Sequence, residues 1–344
     1  METDLSPVQK KAVLICGGNV KVPKDFRPPF RLSRSTAGPG AGSASLVLSF
    51  NGLRVKKSIS REEGEFELEG GPEGRSLLWN GRPFINDLEL QPVLYHSPEQ
   101  AFFNLGQACI FDCLFCTSRK LSKDMVKDLD LDQVVDLILE AERQGGMKAV
   151  AFTSAVVDSI PAAIERMLYV VRKVRSALPN IPIGVEPYVG SFEDIDRLHE
   201  AGATEIKINI ESFNERIIGI ACPKLELGKQ LDFLRYAVQV FGRGKVTSNI
   251  IIGLGETDRN VLEGVTVLAS IGVVPTIRAL KVNPTNRPFL EKALGQLEPV
   301  TPERLLHLNQ EAKIILLGHG LSTRTYHTMC HECGCCDLVP FRDL

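Results

Sequence analysis

The chain has 344 residues, of which 44% are hydrophobic, and its formal net charge at pH 7 is −2. This composition is typical of a folded protein with one large α/β domain and an appendage. Its near-neutral net charge does not indicate a broad positive surface for binding nucleic acid. No apolar run reaches the ~18 residues that a membrane span needs, and the N-terminus lacks the charged-then-apolar order of a signal peptide. We therefore expect a cytoplasmic protein with no nucleic-acid or membrane partner.

Residues 1–98 are predicted to form a mainly β N-terminal domain. Ser6 is a candidate N-cap for a short helix that ends at about Cys16, before two glycines. A loop rich in Gly, Ser and Pro follows. Alternating stretches separated by Gly or Asn then favour short antiparallel strands: SLVLSFNG, LRVKKSIS, EFELEG, SLLWNG and LELQPVLY.

Lysine and arginine outnumber the acids in the first sixty residues. The basic residues are Lys10, Lys11, Lys21, Lys24, Arg27, Arg31, Arg34, Arg54, Lys56 and Lys57. Such a bias indicates a solvated basic surface, and a docking face for an acidic partner is the alternative.

Residues 99–320 alternate between apolar strands and amphipathic helices. The strand candidates are AFFNL, KAVAFT, IPIGVE, TEIKINI, VTSNIIIGL and VVPTIRALKV. Leu131, Val134 and Ile138 share one helix face, and a later helix is expected from its N-cap Thr301 to Gly318. Six β/α units in series predict a parallel sheet curled into a partial (β/α)6 barrel of the TIM type. The active site of such a barrel lies at the C-terminal ends of its strands.

The first of two cysteine groups follows the first predicted barrel strand. It has the spacing C-x3-C-x2-C, at Cys109, Cys113 and Cys116. A [4Fe–4S] cluster is normally held by four cysteines, so three thiolates on one loop leave one iron open for a ligand. A structural zinc site would instead close its coordination with a fourth cysteine or a histidine, and neither lies near this loop.

This loop resembles the defining motif of the radical S-adenosylmethionine (SAM) superfamily. Phe115 occupies the place before the third cysteine where that superfamily usually has an aromatic residue. The resemblance covers about residues 99–325. It implies a [4Fe–4S] cluster whose open iron binds SAM, reductive cleavage of SAM to methionine and a 5′-deoxyadenosyl radical, and an electron donor such as ferredoxin or flavodoxin.

The later strand ends are similar to those of the biotin and lipoyl synthase-related group, which includes the split archaeal-type lipoyl synthase. The resemblance implies that SAM is bound by Phe115, Thr153, Ser154, Asn209, Glu211, Ile251, Gly253 and Glu256. Each position also has an ordinary structural interpretation. Gly253 can end a strand tightly, Glu256 can begin a helix, and Glu211 can be a solvated loop acid.

The second cysteine group lies in a C-terminal tail, residues 321–344. Its members are Cys330, Cys333, Cys335 and Cys336, with His327 and His331 beside them. We interpret the group as the ligands of a second iron–sulfur cluster, since many enzymes of the superfamily that the chain resembles carry one. Zinc bound by C-x2-C with a histidine is an alternative, and so are thiols without a metal. The isolated Cys16 and Cys222 are interpreted as core or surface thiols.

The preferred reaction is sulfur insertion at an unactivated carbon, as the resemblance to lipoyl synthases implies. It would use an acyl-carrying lipoyl domain and a companion radical SAM subunit as partners, and the tail is expected to fold as a lid over the strand ends. One alternative is another radical SAM C–H functionalisation, with the tail cluster used for substrate binding or electron transfer. The other is a metal-binding or electron-transfer protein without catalysis.

Overall fold

The structure is a computed structural model that describes residues 5–30, 32–34, 44–71, 74–118 and 130–344. Most of the loop rich in Gly, Ser and Pro, including the predicted surface residue Arg31, lies outside these residues. In the described part of the chain, no helix is long and apolar enough to cross a membrane.

The N-terminal region is a mainly antiparallel sheet of eight strands preceded by helix α1, Pro7–Cys16. Ser6 caps α1 as predicted: its hydroxyl accepts a hydrogen bond from the Gln9 N–H, and the Gln9 side chain accepts one from Ser6. The strands are β1 Val20–Lys21, β2 Ser33–Arg34, β3 Ala44–Phe50, β4 Leu53–Ser60, β5 Phe66–Gly71, β6 Gly74–Trp79, β7 Arg82–Ile85 and β8 Glu89–Gln91.

The strand order is β2-β3-β4-β1-β5-β6-β7, and β1 pairs in parallel with β4 and β5. Strand β8 also pairs with β3, at residues 47–49, beyond those that pair with β2. The prediction of a mainly β N-terminal region is confirmed, although β1, β2 and β7 were not expected. β1 is too short for an alternating pattern, and Pro83 weakens the strand signal of β7.

The second sheet is parallel, and its six strands follow one another in chain order. They are β9 Gln100–Asn104, β10 Ala149–Thr153, β11 Ile183–Glu186, β12 Glu205–Lys207, β13 Val246–Ile252 and β14 Val274–Ala279. All six strand predictions are confirmed. Among the described residues no ladder joins β9 to β14, so the barrel is partial. Every residue of β13 is buried, as a central parallel strand covered on both faces requires.

Helices cover the outside of this sheet. They are α2 Leu131–Gln144, α3 Ile160–Ala177, α4 Phe192–Glu200, α5 Glu215–Ala221, α6 Leu227–Phe241, α7 Asp258–Ser270, α8 Arg287–Leu294 and α9 Pro302–Gly318. Helix α9 begins where its cap predicts, because the Thr301 hydroxyl accepts a hydrogen bond from the Arg304 N–H. Its buried face, with Leu305, Leu308 and Ala312, packs against the barrel and against α1 and α7.

The tail closes the N-terminal end of the barrel, so the prediction of a lid over the C-terminal strand ends is wrong. After a 3-10 turn at Thr323–Thr325, the tail contacts the first residues of four strands, Gln100, Glu205, Val246 and Val274. The Tyr326 hydroxyl donates to the Val246 carbonyl over 2.6 Å, for example. The reason is topological: helices of a β/α barrel run antiparallel to its strands, so α9 delivers the chain to their N-terminal ends. A short helix, α10 Met329–Cys333, follows there.

Three of the basic residues interpreted as a solvated surface are buried instead. Lys57 Nζ donates to the carbonyls of Leu14 and Gly17, and burial lowers the pKa of Lys57 to about 7. Lys11 and Lys56 are also buried, and both contact the tail. For these three lysines the surface interpretation is wrong, because the tail and α1 cover them.

Candidate functional site

The first cysteine group lies at the C-terminal edge of the parallel sheet, on the loop after β9. Cys109, Cys113 and Cys116 are each partly exposed and free of disulfides. Burial raises the pKa of Cys116, and the neighbouring thiolates of Cys113 and Cys109 raise it further. Among the described residues, no three His, Cys, Asp or Glu side chains converge on a ready-made metal position. The donor set still fits a cluster, because three thiols on one accessible loop provide the ligands that iron–sulfur centres use.

Hydrogen bonds attach this loop to the loops at three other strand ends. The Ile110 N–H donates to the Val156 carbonyl, the Leu114 N–H to the Ala221 carbonyl, and Asn286 Nδ2 to the Phe115 carbonyl, each at 2.8 to 2.9 Å. The Phe115 ring is buried in an apolar cluster with residues of α5, β13 and α8. Phe115 therefore anchors the cysteine loop to the barrel, while its role toward SAM stays a prediction.

Cys222 lies beside this loop and is buried in the same apolar cluster as Phe115, so the interpretation of a core thiol is confirmed. It is buried and hydrogen-bonded to the Cys113 side chain. That hydrogen bond and burial raise the pKa of Cys222 well above its usual range. Cys222 is therefore a buried thiol in contact with the three-thiol loop.

The Thr-Ser pair ends β10 directly beside the loop that follows β9. The Thr153 hydroxyl donates to the Glu186 carbonyl at 3.4 Å, and the Ser154 hydroxyl donates to the Ala155 carbonyl at 2.9 Å. The Ala155 N–H in turn bonds to the Gly106 carbonyl. A Cβ on Gly106 would lie 2.6 Å from the Ala155 oxygen, so this close approach of two loops requires glycine.

Asn209 connects three strand ends through its side-chain amide. Its Nδ2 donates to Glu186 Oε1 at 2.8 Å, and its Oδ1 accepts from the Asn249 N–H at 3.1 Å. Glu186 also pairs with the buried Lys207 at 3.3 Å. Glu186 was not among the predicted site residues, although it is the acid that ends the strand candidate IPIGVE.

Glu211 shows the clearest sign of a ligand-binding group. Its backbone is in the left-handed region, with φ 66°, where a non-glycine residue is uncommon. Its Oε2 atom is buried without a hydrogen-bond partner, and burial raises the pKa of the carboxyl to about 7 despite the nearby charge of Lys207. Strained backbone and an unsatisfied buried carboxylate favour a binding role over a solvated loop acid.

Glu256 uses both carboxylate oxygens within its own loop. Oε1 accepts from the Gly253 N–H at 2.7 Å, Oε2 accepts from the Leu254 N–H at 2.8 Å, and Arg304 pairs with the same carboxylate at 2.9 Å. The interpretation of Glu256 as a helix-starting acid is too narrow, because the carboxylate shapes the end of β13. A direct contact with SAM stays a prediction.

Gly253 and Ile251 also shape this strand end. Gly253 has φ 102°, and a Cβ there would lie 2.8 Å from Val300, so a larger residue does not fit. Ile251 is buried in the same apolar cluster as Phe115. Ile251 therefore packs β13 against the cysteine loop. The contact of Ile251 and Gly253 with SAM stays a prediction.

The four tail cysteines lie in two environments. The side chain of Cys333 hydrogen-bonds with Cys335 and with Ser97, close to the equally buried Cys336. Cys330 lies on the same short helix as Cys333, and its sulfur accepts from Arg278 Nη2 at 3.2 Å and from Lys207 Nζ at 3.5 Å.

The histidine beside the tail cysteines faces the strand starts. His331 Nε2 is 3.2 Å from Thr247 Oγ1 and 3.4 Å from the Val274 carbonyl. Burial lowers the pKa of His331 to about 4, so its ring is neutral near pH 7. The other ring nitrogen, Nδ1, is buried without a hydrogen-bond partner, and a neutral imidazole is the form that binds metal, so a zinc site with His331 stays an alternative.

Comparison with known proteins agrees with this geometry. A family model described as the radical SAM superfamily matches residues 103–266. These residues, just under half of the chain, are similar to the radical SAM superfamily. Matching relatives include lipoyl synthases at 26% and 28% identity. Lipoyl synthase from Pyrobaculum aerophilum is 26% identical over 212 residues, which are 61% of this chain and 71% of that protein. Lipoyl synthase from Caldicellulosiruptor bescii is 28% identical over 163 residues, 46% of this chain and 54% of that protein.

Solved structures support the fold. The FeFe-hydrogenase maturase HydG from Carboxydothermus hydrogenoformans superposes with a TM-score of 0.53 at 18% identity, over 64% of this chain and 52% of that one. Methylornithine synthase gives 0.51 at 14% identity, over 64% of this chain and 69% of that one. These likenesses show that the partial barrel shares its fold with both proteins.

Proposed function

We propose that this protein is an enzyme that cleaves SAM reductively, with Cys109, Cys113 and Cys116 as the ligands of a [4Fe–4S] cluster. One observation carries the proposal: a loop with three partly exposed thiols follows the first strand of a parallel partial barrel, beside the unsatisfied carboxylate of Glu211. When bound, the cluster supplies the electron that splits SAM into methionine and a 5′-deoxyadenosyl radical.

The chain's own residues provide the remaining binding groups. Glu211 Oε2 is an acceptor without a protein partner, which suits a hydroxyl donor such as those of the SAM ribose. Asn209 holds Glu186 and the backbone of Asn249 in fixed positions around that carboxylate. The adjoining apolar cluster around Phe115 restricts access of water from the barrel side.

Anaerobic reconstitution with iron and sulfide, followed by reduction with dithionite, tests this proposal. The wild type is expected to release 5′-deoxyadenosine and methionine, and the Cys109→Ala/Cys113→Ala/Cys116→Ala variant is expected to release neither. Cys16→Ala is the matched control, since Cys16 lies in α1 of the N-terminal region. Equal SAM cleavage by the triple variant and the wild type would favour the metal-binding or electron-transfer protein without catalysis.

We further propose that the radical serves sulfur insertion at an unactivated carbon, with the tail thiols as ligands of an auxiliary iron–sulfur cluster. The support is the similarity to lipoyl synthases and the polar path through the barrel. Cys330 contacts Lys207, Lys207 contacts Glu186, and Glu186 contacts Asn209, so the tail and the SAM-side residues share one lumen.

The proposed partners are an acyl-carrying lipoyl domain, a companion radical SAM subunit, and ferredoxin or flavodoxin as electron donor. Nine free thiols support a reducing, cytoplasmic compartment.

Isotopically labelled sulfide used in reconstitution provides the test of sulfur insertion. The enzyme is incubated with an octanoylated lipoyl domain, with and without a companion subunit, and the product is examined by mass spectrometry. Sulfur insertion predicts labelled product. Deoxyadenosine without labelled product contradicts sulfur transfer to this acyl chain and leaves SAM cleavage intact.

The polarity of the lumen favours a second candidate, a C–H functionalisation of a polar substrate. Asn249 Oδ1 and Thr276 Oγ1 are buried without hydrogen-bond partners, on adjacent strands in register with each other. A hydrocarbon chain would leave both atoms unsatisfied, which is unfavourable. In this candidate the tail cluster binds substrate or transfers electrons.

A further inference from the structure

We propose that the barrel lumen, the space enclosed by the parallel sheet, is a binding site for a small uncharged molecule that carries an amide or hydroxyl group. Asn249, Thr276 and Arg278 present the polar atoms of this site. The assignment of that molecule as the substrate rests on the proposed function and deepens its second candidate. The binding site itself does not depend on the proposed reaction.

Strand alternation places all three residues on the lumen face of β13 and β14. Thr247, two residues before Asn249, contacts the tail helix α10, and so does Arg278, two residues after Thr276. Side chains two residues apart on a strand lie on the same face of the sheet. Asn249 is in register with Thr276, so the two side chains are neighbours on the lumen wall.

Two polar atoms of this wall have no hydrogen-bond partner among the described residues. They are Asn249 Oδ1 and Thr276 Oγ1, and their residues are only 4% and 3% exposed. A buried polar atom without a partner is unfavourable, so native proteins rarely keep one unless a ligand or a water binds there. The amide oxygen can only accept, so the ligand must present an N–H or O–H donor.

Arg278 and Glu186 show that accessible space adjoins these atoms. Arg278 contacts the tail, yet 30% of its side chain is accessible to water, and on β11 the Glu186 side chain is 18% accessible. In the described part of the chain, the hydrogen bonds of Arg278 use Nε and Nη2. Nη1 can therefore donate to a carbonyl or hydroxyl oxygen of the ligand.

The charges on the lumen wall occur in pairs, which favours an uncharged ligand. Arg278 pairs with Asp337 at 2.6 Å, and the buried Lys207 pairs with Glu186 at 3.3 Å. Since each of these cations already has an acid beside it, an ionic ligand would add an uncompensated charge inside the barrel. An amide or hydroxyl group satisfies the free donor and acceptors without adding a charge.

The tail limits the size of the ligand. Gly184 lies two residues before Glu186 on β11, so it faces the lumen nearer the strand starts. A Cβ on Gly184 would lie 2.9 Å from Met329 Cγ, so Met329 fills the lumen there. Gln100 holds Met329 in place, because its side chain accepts from the Met329 N–H at 2.8 Å and donates to the Met329 carbonyl at 3.2 Å. A long hydrocarbon chain therefore has no space below the site.

Binding of a matched set of probes to the reconstituted full-length protein, without reductant, tests the site. Isobutyramide is the uncharged probe, isobutyrate and isobutylammonium have a similar shape with a charge, and octanamide is longer. Ligand-observed saturation-transfer NMR gives the dissociation constants, and isobutyramide is expected to bind most tightly. Asn249→Leu and Thr276→Val keep the side-chain shape, and each should raise its dissociation constant at least about fivefold, the loss of one hydrogen bond. Asn309→Leu is the matched control, since Asn309 Oδ1 is also buried without a partner but lies in α9.

An unchanged dissociation constant in both lumen variants would overturn the proposal, and so would the absence of isobutyramide binding, because water alone would then satisfy the two atoms. Tighter binding of a charged probe would overturn the uncharged class. Binding of octanamide that both variants weaken would overturn the size limit. Thermal unfolding followed by circular dichroism checks the fold, and Thr276→Val carries the test if Asn249→Leu does not fold. None of these measurements uses SAM cleavage, so failure of the proposed enzymatic function is recognised separately.

Discussion

The two cysteine groups occupy opposite ends of the same barrel and are built in different ways. The first sits on one loop that is hydrogen-bonded to segments following other barrel strands. The second depends on helix α1, strand β4, the lumen cations and the strand starts, which are far apart in the chain. The first group is therefore a local property of the barrel, whereas the second exists only when the whole chain has folded. Disturbing the N-terminal region should therefore affect the second group more than the first.

The largest expected effect concerns the first group alone. Replacing Cys109, Cys113 and Cys116 by alanine should lower deoxyadenosine formation by about 100-fold or more, since no other described loop offers three thiols to the open edge. The melting temperature should stay near that of Cys16→Ala, because the replaced side chains are partly exposed. A large fall in melting temperature would contradict the view of a locally built site.

Lys11→Met should show how far the tail site depends on the N-terminal helix. Removing one partner of the buried pair leaves the Asp343 carboxylate without its cation, which costs about 3–5 kcal/mol of unfolding free energy. Urea denaturation of the two proteins at pH 7 measures the difference. Lys24→Met, at an exposed position, is the control and should be nearly neutral. An equally small effect at Lys11 would mean that the tail is held without this contact.

Glu211 should make stability depend on pH in an unusual direction. Its pKa is about 7 in the folded protein against an ordinary 4.5, so the folded state binds the extra proton between these values. The contribution of Glu211 to the free energy of unfolding is therefore most favourable below about pH 4.5. It becomes less favourable, by about 1–3 kcal/mol, as the pH rises to 7. Glu211→Gln removes this contribution. Unfolding free energies of both proteins from pH 4.5 to 7.5 provide the comparison, and parallel profiles would contradict the burial of the carboxyl.

Tyr326→Phe should give the smallest of these effects. The variant loses one buried hydrogen bond, to the Val246 carbonyl, while it keeps the ring against His331. We expect a loss of about 1 kcal/mol in chemical denaturation. Tyr169→Phe is the matched control, because its hydroxyl bonds to Asp132 on the surface. Indistinguishable costs would indicate that the tail contributes little to closing the barrel.

The sequence predicts well what depends on short stretches of chain. The six apolar strand candidates, the caps Ser6 and Thr301, and the position of the first cysteine loop are each encoded within about twenty residues. Glu186 was missed because a single acid at a strand end carries no periodic signal. Its partner Asn209 was found only through a family resemblance.

The interpretations that failed concern contacts between distant parts of the chain. Lys11 and Asp343 are 332 residues apart, so nothing in the local pattern around either one shows that the charge is buried. The lid prediction failed for the same reason: the apolar tail residues indicate burial but not which end of the barrel they cover. The direction of α9 decides that question, and it follows from topology.

The meeting of α1 with the tail also has a consequence for synthesis. Strand β4 and Lys11 leave the ribosome early, and the residues that complete their contact are made after the whole barrel. During translation, the N-terminal sheet therefore either folds while Lys11 and Lys56 are still exposed, or it folds only after the chain has left the ribosome. Domains generally begin folding from the N-terminal side as the chain emerges, and distant contacts form late. The buried pair of Lys11 and Asp343 can therefore form only after the chain has been translated as far as Asp343.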